Sequence, residues 1–446
     1  MCSIGEDDFG DEGGVHAMIP DIKPQLESNL IEEQLLCNKC KKPGAIYKLP
    51  FRQAECRECF LLYARHKFRA ALGSSKVLPK DAKVILVFDG SAESLVLLDM
   101  LHHAQTQNTF KRLHCTATVL YIDDYQLLHQ DGNGNENDYL EFLEKMQILL
   151  KQYTHFESYI VPLVEQQEVE RCLLNFNCIK EQNYHLLNQD QKQSFLSSIN
   201  SIKSLTSRQD FVKHHRSKLI AAVAKHFDSK FAFMSDISSD LATDLLAAVA
   251  LGRGGSAALD VALVDDRLGN DIKLIRPLKD LNTSEIELYL KAQDIQILLI
   301  KRYGLDMGST ASLQNLTKVF VDNLQQNFSA TVSTVFRTGD KIAVNRDVVK
   351  QLEALNMNGE NDNLAIKEKY CSFCNSFLDY QDSNTLLAIE FSRLVSESGC
   401  TLDKCPDLNA KATVNVGGSA EKPYLKNLCH ACRNICLESK NKNLLL

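Results

Sequence analysis

One strand, turn and helix constrain the fold of this 446-residue chain more than any other segment. The apolar run at 84–88 is rich in β-branched residues, and a short Gly/Ser turn at 89–94 connects it to an amphipathic helix predicted over 92–107. In parallel sheets, a strand followed by such a turn and a helix presents the backbone N–H groups of the helix N-terminus, which favours anions. The segment therefore predicts an α/β domain whose first loop has the form of a phosphate-binding loop.

The same alternation continues along the chain. Further strands are predicted at 114–121, 157–163 and 230–234, and further helices at 138–152, 208–227 and 238–251. This pattern indicates a parallel sheet with helices on both faces. The stretch 164–206 is rich in Gln, Asn and Ser, so we expect it to form a partly helical elaboration rather than core. A connector is predicted at 356–363.

The turn resembles the Ser-Gly-Gly-Lys/Xaa-Asp-Ser loop of the ATP pyrophosphatase (PP-loop) family, but its side chains differ. Asp89 places a carboxylate where a hydroxyl would meet phosphate, Ser91 adds a Cβ in place of the second glycine, and Ala92 supplies no cation. We therefore expect a vestigial nucleotide site that activates no ATP, formed by Asp89, Gly90, Ser91 and Ser94. The alternative is an ordinary turn of an α/β domain without nucleotide.

A second segment, 235–242, is also altered. In RNA-thiolating members of the PP-loop family this place reads Gly-His-Asn-Xaa-Asp-Asp-Xaa-Ala; here Asp240 and Ala242 match, while the His, the Asn and one acid are replaced. We include Asp240 in the vestigial site. We expect its carboxylate to cap the following helix rather than to bind magnesium.

Fifteen cysteines suggest metal binding rather than disulfides. The acidic, apolar-poor N-terminus does not resemble a signal or transit peptide, and no run approaches the roughly 18 to 20 apolar residues that span a bilayer. We therefore expect a cytoplasmic protein with no membrane segment. Cytosolic thiols stay reduced and persist mainly as metal ligands or reactive groups, so the spacing of the cysteines indicates their role.

Eight cysteines form four Cys-Xaa-Xaa-Cys pairs. Cys37, Cys40, Cys56 and Cys59 have the spacing of a four-thiolate structural zinc site, although an iron-sulfur cluster uses the same ligands. A second site is predicted from two pairs 54 residues apart, with Cys400, Cys405, Cys436 and His430 as spare ligands; its members are Cys371, Cys374, Cys429 and Cys432. The alternatives are four unrelated buried cysteines at the first site and pairs that cap separate turns without metal at the second.

The charge is unevenly distributed. The net charge is −7, yet residues 39–83 contain twelve Lys and Arg against three acids, after an acidic segment at 1–33 that we expect to be disordered. Within the basic module, Arg65, Lys67 and Arg69 lie on a helix predicted over 60–72, interleaved with Phe60, Tyr63 and Phe68. Such a helix can clamp RNA phosphates while exposed aromatic rings stack on bases. The alternative is a solvated face whose aromatic residues form its core stripe.

In combination these features resemble the cytoplasmic tRNA 2-thiolation protein 2 family over roughly residues 35–436. The resemblance is carried by the first cysteine pairs, the altered loop, the terminal cysteines and four motifs, at 66–70 (His-Lys-Phe-Arg-Ala), 251–254 (Leu-Gly-Arg-Gly), 276–281 (Arg-Pro-Leu-Lys-Asp-Leu) and 333–341. The predicted organisation is an acidic tail at 1–33, a zinc-ribbon-like module with a basic helix at 34–80, a degenerate PP-loop α/β domain at 81–335 and a cysteine-rich region at 336–446.

The resemblance implies a function. It implies a noncatalytic subunit that binds tRNA and pairs with an active PP-loop thiolase, which binds ATP and adenylates the wobble uridine. Sulfur from a ubiquitin-like carrier would then be placed on C2 of that uridine in the Lys, Glu and Gln tRNAs. Two alternatives remain: the chain is itself an ATP-dependent tRNA sulfurtransferase, or it is a zinc-stabilised RNA-binding scaffold. No catalytic role is assigned to Cys115, Cys172 or Cys178.

Overall fold

The fold is described from a computed structural model of the whole chain. The residues described are 36–50, 52–74, 76–107, 112–129, 136–164, 166–180, 184, 188–269, 271–298, 303–342, 370–378, 427–440 and 444–445. They form two compact units, one within residues 1–60 and the other within residues 61–446. Among these residues, every helix is too short or too polar to cross a membrane. The predicted tail at 1–33 and connector at 356–363 lie outside the described residues.

A seven-stranded sheet organises the larger unit. In chain order its strands are β1 (Ala82–Phe88), β2 (Cys115–Asp123), β3 (Glu157–Pro162), β4 (Leu174–Asn175), β5 (Phe231–Phe233), β6 (Val264–Asp265) and β7 (Lys273–Ile275). Their spatial order is β4-β3-β2-β1-β5-β7-β6, with parallel pairing everywhere except at the two edge strands, β4 and β6. The four predicted strands correspond to β1, β2, β3 and β5. Together with β7, these are the five interior strands of the sheet.

β1 is the centre of the sheet. Leu86 is in register with Val119 of β2 on one side and with Phe233 of β5 on the other. Successive side chains of a strand point to opposite faces, and every residue from Val84 to Phe88 is buried, so both faces of the sheet are covered. The predicted α/β fold, a parallel sheet with helices on both faces, is confirmed.

Helices connect and cover the strands. They are α1 (Arg57–Ser74), α2 (Ala92–Thr106), α3 (Tyr125–Leu128), α4 (Glu136–Lys151), α5 (Val169–Cys172), α6 (Gln189–Asn200), α7 (Leu205–His226), α8 (Ser238–Ala250), α9 (Ala257–Val261), α10 (Thr283–Gln293), α11 (Leu313–Asn327), α12 (Ser329–Ile342) and α13 (His430–Glu438). Short 3-10 turns lie at Gln166–Glu168, Phe176–Cys178, Gly254–Ser256 and Leu305–Met307. The predicted helices at 60–72, 92–107, 138–152, 208–227 and 238–251 are all present.

One prediction about the core is wrong. The stretch 164–206 was expected to be peripheral, but Phe195, Ile199 and Ile202 are fully buried in the cluster that includes Ile85 of β1 and Leu219 of α7. The apolar residues of α6 recur at helical spacing and lie on one face, with polar residues between them. The mean hydropathy of the stretch is therefore low although one face of the helix is buried. The same stretch also contributes the antiparallel edge strand β4.

Candidate functional site

The altered loop lies between β1 and α2. Gly90 has a φ of +78°, a left-handed conformation that glycine adopts without strain. Ser91 is the N-cap of α2, and its hydroxyl accepts a hydrogen bond from the Ser94 backbone N–H at 3.2 Å. The Ser94 hydroxyl donates in return to the Ser91 carbonyl at 3.0 Å.

The loop binds its own anion. The Ser91 backbone N–H donates to the Asp89 carboxylate at 3.0 Å, at the helix N-terminus where a phosphate oxygen would be favoured. A second anion at this position would meet a fixed negative charge and a donor that is already engaged. The sequence predicted the carboxylate; the structure adds the hydrogen bond that turns it towards the loop.

A cleft of about 730 Å³ opens beside the loop. Among the described residues, seven carboxylates and four Lys or Arg side chains line it, the acids being Asp89, Glu93, Asp124, Asp138, Asp236, Asp240 and Asp244. The excess of acids makes the cleft unfavourable for a polyphosphate, whose charge such sites normally balance with cations or metal ions. No cysteine is among the described residues that line it.

Three cations of the cleft are paired with its acids. Lys213 lies 2.8 Å from Asp244, Arg216 lies 2.6 Å from Asp124, and Arg276 lies 3.0 Å from Asp236. Burial raises the pKa of both Asp124 and Asp236 above the usual value, and the neighbouring arginine opposes that rise. Each arginine therefore compensates a half-buried carboxylate, and moving it to a phosphate would leave that carboxylate without its partner.

Asp240 also lines the cleft, at the first turn of α8. Its carboxylate accepts a hydrogen bond from the Ile237 backbone N–H at 3.4 Å, which is half of a capping box. The predicted capping role is therefore present.

The first four cysteines lie in the smaller unit. Cys37, Cys40, Cys56 and Cys59 have sulfur atoms within 4.8 Å of one another. Cys37 and Cys40 form a tight turn in which the Cys37 N–H donates to the Lys42 carbonyl and the Lys41 N–H donates to the Cys37 carbonyl, with Lys41 left-handed at a φ of 59°. Cys56 directly precedes α1, and Cys59 is on its first turn.

The second four cysteines repeat this arrangement in the larger unit. Cys371, Cys374, Cys429 and Cys432 also have sulfur atoms within 4.8 Å of one another, and all four are buried. The Cys371 N–H donates to the Ser376 carbonyl and the Asn375 N–H donates to the Cys371 carbonyl, at the same sequence separations as in the Cys37 turn. Asn375 is left-handed with a φ of 54°, as Lys41 is in the first turn. Cys429 precedes α13, and Cys432 is on its first turn. Sequence spacing predicted both groups, but not that their backbones match.

Both groups have the chemistry of a divalent metal site. The backbone N–H groups of the turn lower the pKa of Cys37 to about 6, whereas burial raises the pKa of Cys59 to about 12. Burial likewise raises the pKa of Cys432 well above its usual value. Four thiolates cannot be held together at neutral pH without a cation among them, and zinc or an iron-sulfur cluster provides it. The donors therefore fit a metal, whose identity the sulfur atoms leave open.

Arg253 links the second cysteine group to the core. Its guanidinium donates to both oxygens of Asp210 on α7, at 2.7 and 2.6 Å, and to the Cys432 sulfur at 3.4 Å. All three side chains are buried. A four-thiolate site with a divalent metal carries two negative charges, so a fixed cation beside it is electrostatically favourable. The sequence singled out Arg253 as part of a family motif but did not suggest this contact.

The basic side chains of α1 have partners within the larger unit. Lys67 lies 2.6 Å from the buried Glu285, Arg65 donates to the Tyr289 hydroxyl at 3.1 Å, and Arg69 donates to Gln107. These contacts do not test RNA binding, which stays a prediction for the three residues. Of the two alternatives for the aromatic residues, Phe60 and Phe68 follow the core stripe, since each ring is only 1% exposed.

The cysteines of the α/β body lie away from the cleft lining. Cys172 is buried in the core, and burial raises the pKa of Cys115 to about 11. The Cys115 sulfur accepts a hydrogen bond from the side-chain amide of Gln105 at 2.9 Å. Neither environment favours a thiolate nucleophile.

Comparison with known proteins gives consistent results. Residues 312–434 match the family model described as cytoplasmic tRNA 2-thiolation protein 2. The chain is 49% identical over 451 residues to a protein of that name from Drosophila melanogaster, and 48% identical over 450 residues to one from Drosophila yakuba; both alignments cover 100% of each chain.

Among solved structures, the chain is similar to the U34-tRNA thiolase NcsA from Methanococcus maripaludis, determined with its [4Fe-4S] cluster. The identity is 18% and the TM-score 0.49, over 69% of this chain and 87% of that one.

Proposed function

The chain belongs to the cytoplasmic tRNA 2-thiolation protein 2 family, and from this we propose that it is a noncatalytic subunit of the complex that 2-thiolates the wobble uridine (U34) of cytosolic tRNA. In this proposal it acts on the Lys, Glu and Gln tRNAs. An active PP-loop partner binds ATP and adenylates the uridine, and a ubiquitin-like carrier supplies sulfur. The names of the relatives support a cytoplasmic location.

One hydrogen bond in the altered loop is the main support for the noncatalytic role. The Asp89 carboxylate accepts the Ser91 N–H at the point where an ATP phosphate would be held. The ion pairs of Lys213, Arg216 and Arg276 with cleft acids add to it, since they use three of the four Lys and Arg side chains that line the cleft among the described residues. An adenylating enzyme needs such groups available to balance developing phosphate charge.

The two cysteine groups have a structural role in this proposal. Cys37, Cys40, Cys56 and Cys59 would hold one zinc ion, and Cys371, Cys374, Cys429 and Cys432 a second. Bound zinc supplies a tetrahedral cross-link without redox chemistry. The cysteines of the second group join chain segments far apart in sequence, and Arg253 orients and compensates them. The chain thus contributes a rigid surface rather than a reacting group.

Restoring the loop tests the assignment. We expect no ATP turnover from the full chain carrying Asp89→Ser, Ser91→Gly, Ala92→Lys and Glu93→Asp, which rebuild Ser-Gly-Gly-Lys-Asp-Ser at 89–94. The paired cations and the altered segment at 235–242 remain unfavourable for nucleotide. The measurement is release of inorganic pyrophosphate or phosphate, with titration calorimetry to detect ATP binding.

A matched variant separates the contribution of the loop to ATP binding from that of the cleft. Adding Asp124→Asn, Asp236→Asn and Asp244→Asn to the restored loop removes the three cleft partners of Lys213, Arg216 and Arg276. We expect ATP affinity to rise roughly tenfold in this variant relative to the restored loop alone, because removing three carboxylates makes the cleft less acidic. Turnover by the restored loop alone would overturn the noncatalytic assignment.

A further inference from the structure

A basic groove lies next to the acidic cleft. The α7 groove, with a volume of about 380 Å³, is lined by Lys213, Lys218 and Lys225 of α7, by Arg267 and Arg276, and by the turn at 373–375. Resting on the proposed tRNA role, we propose that this groove binds the phosphate backbone of the tRNA. It shares Lys213 and Arg276 with the cleft, so the two surfaces are continuous.

The charge of the groove is opposite to that of the cleft. Within the part of the chain that the structure describes, five Lys or Arg side chains line the groove, against two carboxylates, Asp260 and Asp265. Both carboxylates are bound by Arg267, at 2.5 and 2.6 Å. Lys213 and Arg276 are also paired with Asp244 and Asp236 of the cleft, so the attraction of the groove for a polyanion comes from Lys218 and Lys225.

The lysines follow one face of α7. Lys218 and Lys225 are seven residues apart, so two helical turns separate them by about 10 Å along the helix axis. Lys225 is exposed and Lys218 is half-buried. Ala221 and Ala222 lie between them in the groove and leave room for a backbone to approach.

The turn of the second cysteine group also lines the groove. The Lys218 ammonium lies 4.1 Å from the centre of the Phe373 ring, and Phe373 stacks on Phe211 of α7 at 5.8 Å. The Asn375 amide donates to the Arg267 carbonyl at 2.6 Å, which ties the turn to the groove. Cys374 is in the same turn. A metal at this group would therefore hold the groove in shape.

The groove is suited to phosphates rather than bases. Phe373 is 4% exposed, so its ring is covered and offers no stacking face. Lysine ammonium groups bind phosphates as point charges without reading sequence. Binding through this groove is consequently expected to be strongly dependent on salt and insensitive to tRNA sequence, with discrimination among tRNAs left to other surfaces.

The test is tRNA binding by the metal-loaded full chain with Lys218→Glu and Lys225→Glu. The probe is an unmodified tRNA transcript for lysine, titrated between 50 and 300 mM salt. We expect affinity to fall roughly tenfold or more at 0.1 M salt, and the slope of log K against log salt to decrease in magnitude by about 2. Lys145→Glu with Lys151→Glu on α4 makes the same change in net charge and is expected to alter neither value by more than about twofold.

A second pair of substitutions removes the two positive charges without reversing them. Lys218→Gln with Lys225→Gln keeps long side chains, and we expect the same loss in smaller degree with an unchanged melting temperature. If the wild-type chain binds tRNA and the groove variants bind it equally well, the inference is overturned. Loss of binding only in the variant with Arg65→Glu, Lys67→Glu and Arg69→Glu would place the tRNA site on α1 instead. A requirement of the groove for binding an acidic protein, with tRNA binding unchanged, would likewise contradict the inference. If wild-type chain, alone and with its partner, binds no tRNA, the tRNA role within the proposed function fails instead.

Discussion

Replacing Cys432 with serine is expected to remove the metal from the second cysteine group and to destabilise the whole larger unit. Cys432 is fully buried, and its group belongs to the same hydrophobic cluster as Ile85 of β1 and Leu219 of α7. Structural zinc sites contribute on the order of 10 kcal/mol in small domains, so we expect a loss of roughly 5 kcal/mol or more. Metal content by mass spectrometry should fall by one equivalent, and thermal unfolding should occur at a much lower temperature.

The first cysteine group provides the contrast. Cys40 is exposed and belongs to the unit within residues 1–60. Cys40→Ser should also remove one equivalent of metal, yet leave the melting transition of the α/β unit in place. Cys178→Ser, which changes a cysteine outside both groups, is the matched control and should retain both metals. Equal stability of the Cys432→Ser and Cys178→Ser proteins would contradict the structural role of the second site.

Replacing Arg253 with methionine is expected to cost about 3 to 5 kcal/mol, because it leaves the Asp210 carboxylate buried without its partner. The Cys432 sulfur loses a donor at the same time. Asp210→Asn combined with Arg253→Met removes both charges and should recover part of the loss. The free energies of unfolding of the two single variants and the double variant, measured in urea, give the coupling between the side chains.

The pair also predicts a dependence on pH. Burial alone would raise the pKa of Asp210, but Arg253 and His214 lower it below the ordinary value. A depressed pKa stabilises the fold at pH values above about 4, where Asp is ionised in the unfolded chain, and this stabilisation is lost as the pH falls further. Melting temperatures from pH 7 to pH 3 should therefore fall less steeply below pH 4 in the double variant than in wild type. Parallel curves would contradict this assignment.

The strand and helix pattern was predictable because apolar periodicity records burial. Residues 84–88 of β1 are all apolar because both faces of the strand are covered, and the long α7 has periodic apolar residues. β4, β6 and β7 were not predicted; β4 and β6 have only two residues each, too few to establish a period. Phe60 and Phe68 are eight residues apart, a spacing compatible with a buried helix face, yet the sequence left open whether these rings pack in the core or stack on bases.

The site was predictable only where local spacing determines it. The Cys-Xaa-Xaa-Cys pairs indicated which eight sulfur atoms lie together, and Asp89 indicated a carboxylate in the loop. The contacts of Arg253 with Asp210 and Cys432 join residues 43 and 179 positions apart in sequence, and the cleft ion pairs are also long-range. Such pairs leave no local pattern, because charged residues at these positions are equally compatible with an exposed surface.

The most direct test of the noncatalytic subunit is the amount of 2-thiouridine in bulk tRNA from cells that lack this chain. Mass spectrometry would compare rescue by the native chain with rescue by a variant carrying Asp89→Asn and Ser91→Gly. We predict that thiolation is lost without the chain and is restored equally by both proteins. Thiolation that persists without the chain, or that fails only with a folded loop variant, would contradict the proposal.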